Sequence, residues 1–198
     1  MKENIKRTKF NVSLLGDSLV GKTLITQAHF KKITTGYTLS TLGIENFMDS
    51  AIFDGIEYNF KVYDTAGQER FRSLSKSVIK ITDGFILVFS VHDKNSFEHI
   101  NFWFESIAKE VDISKKVLIL VGNKVDLPNR IVSNEEAAKF ADLNDMKYFE
   151  TSALNGYNIN NLFDTLYQDI YNLNKSNLRS QSLVELRNIK KKKNTGCC

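Results

Sequence analysis

The stretch GDSLVGKT, residues 16–23, has the residue types and spacing of a loop that binds phosphate. A glycine, four residues and then Gly-Lys-Thr form this pattern when they lie between a strand and a helix, and the apolar run FNVSLL comes directly before them. Backbone N–H groups at the positive end of the following helix can surround a phosphate, while the ammonium of Lys22 neutralises its oxygens. The hydroxyl of Thr23 is a candidate magnesium ligand.

Leu19 is a bulky residue inside a loop whose backbone must come close to phosphates. Its N–H is as good a donor as that of any other residue, so we expect the backbone to bind and the side chain to point away, over the mouth of the site. The residues expected to contact phosphates are Gly16, Ser18, Leu19, Val20, Gly21, Lys22, Thr23 and Leu24.

A second motif, DTAGQER at residues 64–70, follows another predicted strand. The carboxylate of Asp64 can hold magnesium through water. Gly67 offers an N–H to a γ-phosphate with no side chain in the way. Gln68 can orient an attacking water, so hydrolysis of a nucleoside triphosphate is the chemistry these residues indicate, with Gln68 and Lys22 as the catalytic pair.

Two further motifs, NKVD at 123–126 and ETSA at 150–153, indicate recognition of guanine. The carboxylate of Asp126 can accept from N1–H and the exocyclic amine of guanine, a donor pair that adenine lacks, and Lys124 can lay its methylenes along the base. A backbone N–H of ETSA can reach the guanine oxygen. The full set expected to contact the base comprises Asn123, Lys124, Asp126, Ser152, Ala153 and Leu154.

The order of apolar runs and helical patterns predicts an α/β fold with a mostly parallel sheet covered by helices on both faces. Asp54-Gly55 is a two-residue hairpin signal, so one antiparallel edge pairing is expected. All four motifs then follow the carboxyl ends of strands, where such sheets bind ligands. The predicted strands cover residues 10–15, 48–64, 84–91, 116–123 and 147–153, and the predicted helices begin at residue 22 and lie near 69–81, 95–110, 133–143 and 158–173.

Two helix starts carry capping signals. Ser133 with Glu136 three residues later forms a capping box, and Asn95 is expected to cap the helix that carries Phe97 and Ile100 on its apolar face. We interpret these aromatic and aliphatic residues as core.

The ends of the chain differ from its middle. The 198 residues predict one globular domain, residues 1–174, and a flexible basic tail, residues 175–198. The formal net charge of +4 comes from cations near both ends, so the middle is net negative, which argues against a nucleic-acid partner. No apolar run is long enough to span a bilayer and the amino terminus lacks a signal-peptide pattern, so the globular part is expected in the cytosol.

Residues 8–173 resemble a small GTPase of the Rab family in the Ras superfamily. The similar motifs are GDS in the loop, STLG at 40–43, FKVYDTAGQERF at 60–71, GNKVDL at 122–127, ETSA and the terminal Cys-Cys. The resemblance implies the six-stranded small-GTPase fold, GTP and GDP as ligands with Mg²⁺ as cofactor, and slow hydrolysis that a partner accelerates. It also implies that Thr41 binds magnesium through its hydroxyl and senses the γ-phosphate, beside the metal residues Thr23 and Asp64.

The tail is similar to a Rab tail that carries geranylgeranyl groups on Cys197 and Cys198. One lipid chain gives only marginal membrane binding, and the neighbouring Lys190–Lys193 add attraction to an anionic leaflet. The resemblance therefore implies a monomer on the cytoplasmic face of an intracellular membrane that exchanges with the cytosol. Its implied partners are an exchange factor, a GTPase-activating protein, effectors, and the chaperones of prenylation and membrane extraction.

The chain departs from the Rab pattern near the base. Thr34 stands where an aromatic residue usually lies edge-on against guanine, and Leu154 replaces a lysine that flanks the base. Asn46 and Tyr63 differ from the usual aromatic residues of the effector surface. Two other readings stay open, namely a membrane-tethered module that holds nucleotide without cycling, and a signalling member of another Ras-superfamily branch.

Overall fold

The computed structural model describes residues 7–30, 44–65 and 72–194. Strands and helices alternate along it, as the sequence predicts, and the predicted run 48–64 divides into two strands. The elements are β1 (Lys9–Leu15), α1 (Lys22–His29), β2 (Ile44–Phe53), β3 (Ile56–Thr65), α2 (Arg72–Ile81), β4 (Gly84–Ser90), α3 (Lys94–Glu98), α4 (Ile100–Glu110), β5 (Val117–Asn123), α5 (Asn134–Leu143), β6 (Lys147–Thr151) and α6 (Ile159–Asn194).

The six strands form one sheet in the order β2-β3-β1-β4-β5-β6. Only the β2–β3 pair at the edge is antiparallel, and the other four pairs are parallel. Asp54 and Gly55 both have positive φ, 51° and 74°, which is the backbone that a two-residue type I′ hairpin requires. The predicted fold class and its antiparallel edge are confirmed.

Apolar clusters cover both faces of the sheet. On one face α1 and α6 pack against β1 and β3, with Ile25 and Phe163 among the buried residues. On the other face α2, α3, α4 and α5 pack against β4 and β5, with Leu87 and Trp103 buried. Every residue of β4 is buried, as expected for a central strand that is covered on both sides.

The helix predicted near 95–110 is two helices, α3 and α4, which meet at His99. The prediction that Asn95 caps this helix is wrong. Asp93 caps α3, because its carboxylate accepts from the N–H groups of Asn95 and Ser96, and a carboxylate at the N-cap also suits the positive end of the helix. At α5 the predicted cap is confirmed, since Ser133 accepts from the N–H of Glu136 at 3.1 Å.

α6 is longer than the helix predicted near 158–173, because its backbone stays helical to Asn194. Residues 175–194 contain neither glycine nor proline, the two residues that interrupt helices most strongly. The division into residues 1–174 and 175–198 remains a prediction. Among the helices described, none has the length and apolar character needed to cross a membrane.

Candidate functional site

The parallel register brings the predicted motifs to one edge of the sheet. Leu14 of β1 pairs with Asp64 of β3, and Asn123 of β5 pairs with Thr151 of β6. Each of these residues lies at or next to the carboxyl end of its strand, and the loop GDSLVGKT leaves β1 at the same edge. Residues from distant parts of the chain therefore share one site.

The phosphate loop has a backbone that depends on its glycines. Gly16 and Gly21 have φ of 147° and 102°, values that side chains tolerate poorly. A Cβ at Gly16 would lie 2.1 Å from the carbonyl oxygen of Val88, and one at Gly21 would lie 2.3 Å from Nδ2 of Asn123. The two glycines expected to be essential are thus required both by backbone angle and by space.

Leu19 has a positive φ of 64°, and its side chain is 75% exposed. The expectation that this side chain points away from the loop interior therefore agrees with the structure. The loop tolerates leucine here because the strain lies in the backbone and the described residues leave most of the side chain exposed.

Lys22 opens α1 and is 5% exposed. Its Nζ donates to the carbonyl oxygens of Gly16 at 2.9 Å and Asp17 at 2.7 Å. Burial lowers the pKa of Lys22 to about 8, and the nearby carboxylates Asp64 and Asp17 oppose that shift. A phosphate beside this ammonium would favour its charged form. No side chain caps the N-terminus of α1, so the helix directs N–H groups at the same place.

Thr23 and Asp64, two predicted magnesium ligands, contact each other directly. The Thr23 hydroxyl donates to Oδ2 of Asp64 at 2.6 Å. Asp64 is fully buried, and its Oδ1 has no hydrogen-bond partner among the residues described. Burial raises the pKa of Asp64, while the Thr23 hydrogen bond and Lys22 act in the opposite direction.

These oxygens fit Mg²⁺. A buried carboxylate with an unpartnered oxygen beside a hydroxyl provides hard ligands, and Mg²⁺ is usually held by one or two carboxylates together with phosphate oxygens and water. Within residues 7–30, 44–65 and 72–194 there is no group of three or more His, Cys, Asp or Glu side chains that could hold a metal ion, so any metal here would rely on those additional oxygens.

Asn123 joins three of the predicted motifs. Its Nδ2 donates to the carbonyl oxygen of Val20 at 2.9 Å, while its Oδ1 accepts from the Thr151 hydroxyl at 3.1 Å and the Ala153 N–H at 3.2 Å. Asn123 is almost fully buried. It was predicted as a base contact, and the structure shows it connecting the phosphate loop, NKVD and ETSA.

The other base-recognition residues surround this connection. Lys124 has a φ of 70°, and burial lowers its pKa, while Asp126 beyond it is exposed. Ser152 is buried and its Oγ accepts from the N–H of Asn155. Leu154 is 78% exposed, so its side chain reaches solvent at the place where the Rab pattern has a lysine.

Several predicted residues lie outside the part of the chain that the structure describes. They are Thr34, Thr41, Gly67, Gln68, Cys197 and Cys198. Their predicted roles remain predictions.

Sequence reasoning missed three residues that meet at the loop, namely Asp17, His99 and Trp103. Both oxygens of the Asp17 carboxylate contact side chains at the start of α4. These partners are 82 and 86 residues away in the chain, and no local motif links them. The helical periodicity of α4 showed only that this segment packs against the core.

The loop between β1 and α1 depends on glycine and lies beside a buried lysine and a hydroxyl–carboxylate pair. These features, at the carboxyl edge of a parallel sheet, define a nucleotide-binding protein of the phosphate-loop class. A sequence model described as the Ras family matches residues 11–172.

Individual relatives agree with that match. Ras-related protein RABA4b of Arabidopsis thaliana is 36% identical over 174 residues, which cover 87% of this chain and 77% of the relative. GTP-binding protein YPT1 of Saccharomyces cerevisiae is 34% identical over 185 residues, covering 93% and 87%. Ras-related protein Rab-39A of Homo sapiens is 37% identical over 177 residues, covering 86% and 82%.

The chain therefore belongs to the Ras family of small GTPases, and the predicted resemblance to Rab proteins is confirmed. It is a GTPase whose ligands are GTP and GDP with Mg²⁺.

Proposed function

We propose that this GTPase cycles between GDP-bound and GTP-bound forms on a membrane surface and regulates vesicle traffic. Membership of the family and the Rab relatives support this proposal. The observation that carries the nucleotide-binding part of this proposal is the buried pair of Thr23 and Asp64 beside Lys22, because a fully buried carboxylate oxygen with no partner among the described residues is costly unless the site binds a cation.

Each residue has a role in the proposed reaction, which converts GTP and water to GDP and phosphate. A water attacks the γ-phosphate in line with the leaving GDP. Lys22 and the loop N–H groups stabilise the charge on the phosphate oxygens, and Gln68 orients the water. Thr23, Asp64 and Thr41 would hold Mg²⁺, which would supply positive charge to the phosphate oxygens.

Intrinsic turnover should be slow. The phosphate loop, NKVD and ETSA contain no arginine that could act as a built-in finger, and the unassisted Ras reaction runs on the order of 10⁻⁴ s⁻¹. We expect a rate within a few tenfold of that scale, with acceleration by an activating protein. A purified sample that turned over at about 1 s⁻¹ without a partner would contradict the proposal.

A single-turnover assay tests the cycle against the alternative of a module that binds nucleotide without hydrolysing it. Phosphate release from bound GTP should be measurable in the unchanged protein and fall about tenfold or more in Gln68→Leu, since the water loses its orienting group. A non-cycling module would release no phosphate and show no difference. Asn101→Ala, on an exposed part of α4, is the control.

The membrane part of the proposal depends on the tail. We infer that lipids are attached to Cys197 and Cys198 and that Lys190–Lys193 add electrostatic attraction, which places the protein on the cytoplasmic face of an intracellular membrane. Exchange factors, activating proteins, effectors and prenylation and extraction chaperones are its proposed partners. Mass spectrometry of the native protein should find two geranylgeranyl groups, and a different prenyl group would favour another Ras-superfamily branch.

A further inference from the structure

The carboxylate of Asp17 connects the phosphate loop to the start of α4. Trp103 Nε1 donates to Oδ1 at 3.0 Å, and His99 Nδ1 lies 2.6 Å from Oδ2. Because an ionised carboxylate only accepts hydrogen bonds, Nδ1 of His99 carries the proton. Both oxygens of one loop residue are therefore held from outside the loop.

The backbone of the same residue contacts the predicted catalytic lysine. The carbonyl oxygen of Asp17 accepts from Nζ of Lys22 at 2.7 Å. Asp17 thus joins Lys22, through its backbone, to α4, through its side chain. A contact that holds the Asp17 side chain therefore restrains the residue whose carbonyl orients the ammonium.

The two donors differ in how firmly they are fixed. Trp103 is 7% exposed and belongs to the same apolar cluster as Leu15, the last residue of β1. Its indole is therefore held by core packing, and the N–H is directed before any ligand binds. His99 has a side chain that is 60% exposed, and it adds a second donor at the surface.

The backbone conformation of the phosphate loop explains why outside contacts would stabilise it. Gly16, Leu19 and Gly21 all have positive φ, so the backbone between β1 and α1 lacks the repeating hydrogen bonds that stabilise a strand or helix. Asp17 also adds a negative charge beside a site for phosphate, and two donors neutralise it in part and hold it toward α4.

We propose that His99 and Trp103 are positioning residues of the phosphate loop, which hold the Asp17 carboxylate and thereby orient Lys22 for the nucleotide phosphates. This inference rests on the proposal that the loop binds those phosphates. When the contacts of Asp17 with His99 and Trp103 are lost, the loop can depart from the geometry that binds phosphate, so GDP is released faster.

The tryptophan provides a direct probe, because the chain contains only one. In a ¹H–¹⁵N correlation spectrum of the full chain, the single indole N–H signal should move upfield in Asp17→Ala, and in the unchanged protein it should shift when GDP and Mg²⁺ are added. If the chemical shift of the indole N–H is the same in Asp17→Ala as in the unchanged protein, the contact between Trp103 and Asp17 is overturned, independently of any effect of nucleotide.

Release of a fluorescent GDP measures the consequence. Asp17→Ala and Trp103→Phe should each release GDP about tenfold faster, as expected for the loss of a hydrogen bond to a charged group, and His99→Ala should do so by a smaller factor. The double variant Asp17→Ala/Trp103→Phe should release GDP no faster than Asp17→Ala alone, because the two substitutions remove the same contact. Asp17→Asn keeps an acceptor for the indole and should restore most of the normal rate.

Asn101→Ala is the matched control, since Asn101 lies between the two donors and its side chain bonds Glu105 instead. Release rates of Asp17→Ala and Trp103→Phe within twofold of this control, or full additivity in the double variant, would overturn the proposal. If Trp103→Phe does not fold, Asp17→Ala and His99→Ala, both at partly exposed positions, decide the outcome. Normal GDP affinity in Lys22→Ala would instead overturn the proposed phosphate site. The indole measurement would still decide whether Trp103 contacts Asp17.

Discussion

Leu19 shows how a residue that departs from a motif can keep the motif's chemistry. Its N–H remains available at a φ of 64° while its side chain extends into solvent. A left-handed conformation costs roughly 1–2 kcal/mol for residues other than glycine. The leucine is therefore a source of strain in the loop, and among the described residues its largely exposed side chain gains little from packing.

Leu19→Gly should relieve that strain. Part of the gain is offset by the larger backbone entropy of glycine in the unfolded chain, so we expect the free energy of unfolding to rise by about 0.5–1 kcal/mol, measured by urea denaturation. GDP affinity should stay near normal, while hydrolysis assisted by an activating protein should change, because the substitution removes an exposed side chain from the phosphate loop.

Asn129→Gly is the control for Leu19→Gly, since Asn129 has the same φ of 64° but asparagine tolerates this conformation well. It should give little or no gain. Loss of GDP binding in Leu19→Gly would mean that the leucine side chain supports the loop in a way that its exposure does not show.

Connections between elements hold the site together as firmly as the motifs themselves. Asn123 at the end of β5 reaches across to Val20 in the loop after β1 and to the segment after β6. Gly21 leaves room for its amide. The position of the phosphate loop therefore depends on the guanine-recognition motif, and the two halves of the site are coupled.

A comparison of Gly21→Ala with Gly55→Ala separates this coupling from backbone strain. Both glycines have positive φ, but a Cβ at Gly55 would meet no atom within 4 Å. We expect Gly55→Ala to cost about 1 kcal/mol of unfolding free energy. Gly21→Ala should cost roughly 3 kcal/mol, because it also displaces a buried hydrogen-bonded amide, and it should speed GDP release. Equal costs for the two variants would contradict the coupling.

α6 holds the β2–β3 hairpin through polar contacts within an aromatic cluster. The Tyr167 hydroxyl donates to Asp49 of β2 at 3.0 Å, and Lys175 contacts Asp54 in the hairpin turn at 2.7 Å. His29, the last residue of α1, also contacts Asp49. Asp49 of β2 is thereby connected to both α1 and α6.

Burial and the neighbouring Asp49 raise the pKa of Tyr167, which makes stability depend on pH. The neutral phenol is favoured in the folded state, so its contribution is complete below the ordinary tyrosine pKa of about 10 and is lost as the pH rises above that value. Tyr167→Phe should lower the free energy of unfolding by about 1 kcal/mol near neutral pH and flatten its decline above pH ~10. Urea denaturation across this pH range measures both effects.

The exposed Tyr157 offers a control for Tyr167→Phe. Tyr157→Phe should leave both the neutral stability and the alkaline slope nearly unchanged. An alkaline slope in Tyr167→Phe as steep as in the unchanged protein would show that Tyr167 ionises as readily when folded as when unfolded.

The whole chain combines a nucleotide-binding fold with a basic carboxyl terminus. The helical backbone of α6 runs from the packed face of the sheet to Asn194, so the proposed lipid sites lie four and three residues from its end. The proposed membrane signals therefore follow all of the nucleotide-binding motifs in the sequence.

Removal of the membrane signals should separate these two activities. With Cys197→Ser and Cys198→Ser, a tagged protein in cells should move from membranes to the cytosol, while GDP and GTP binding stay unchanged. Replacement of Lys190–Lys193 by glutamine should weaken membrane association more mildly, since each cation near an anionic surface contributes about 1 kcal/mol. Membrane fractions that keep the double cysteine variant would contradict lipid anchoring.

The sequence by itself was sufficient for the chemistry and the fold class. The phosphate loop, Asp64, NKVD and ETSA are short patterns whose predicted chemistry follows from a few adjacent residues, and the mostly parallel sheet with one antiparallel edge pairing follows from alternating apolar and helical runs and the Asp54-Gly55 turn. The bounds of α3 and α4 and the length of α6 were less accurate, because propensity near helix ends is weak and Asp93 competed with Asn95 as a cap.

The contacts among distant residues emerged only from the folded chain. Three sets of hydrogen bonds join residues that lie at least 28 positions apart in the chain. They link Asp17 to His99 and Trp103, Asn123 to Val20 and Thr151, and Tyr167 to Asp49. Such pairs use common residue types with no fixed spacing, so nothing local marks them. They form because the parallel sheet brings the ends of separate strands and helices to one place, and burial then makes each unpaired polar atom costly enough to require its partner.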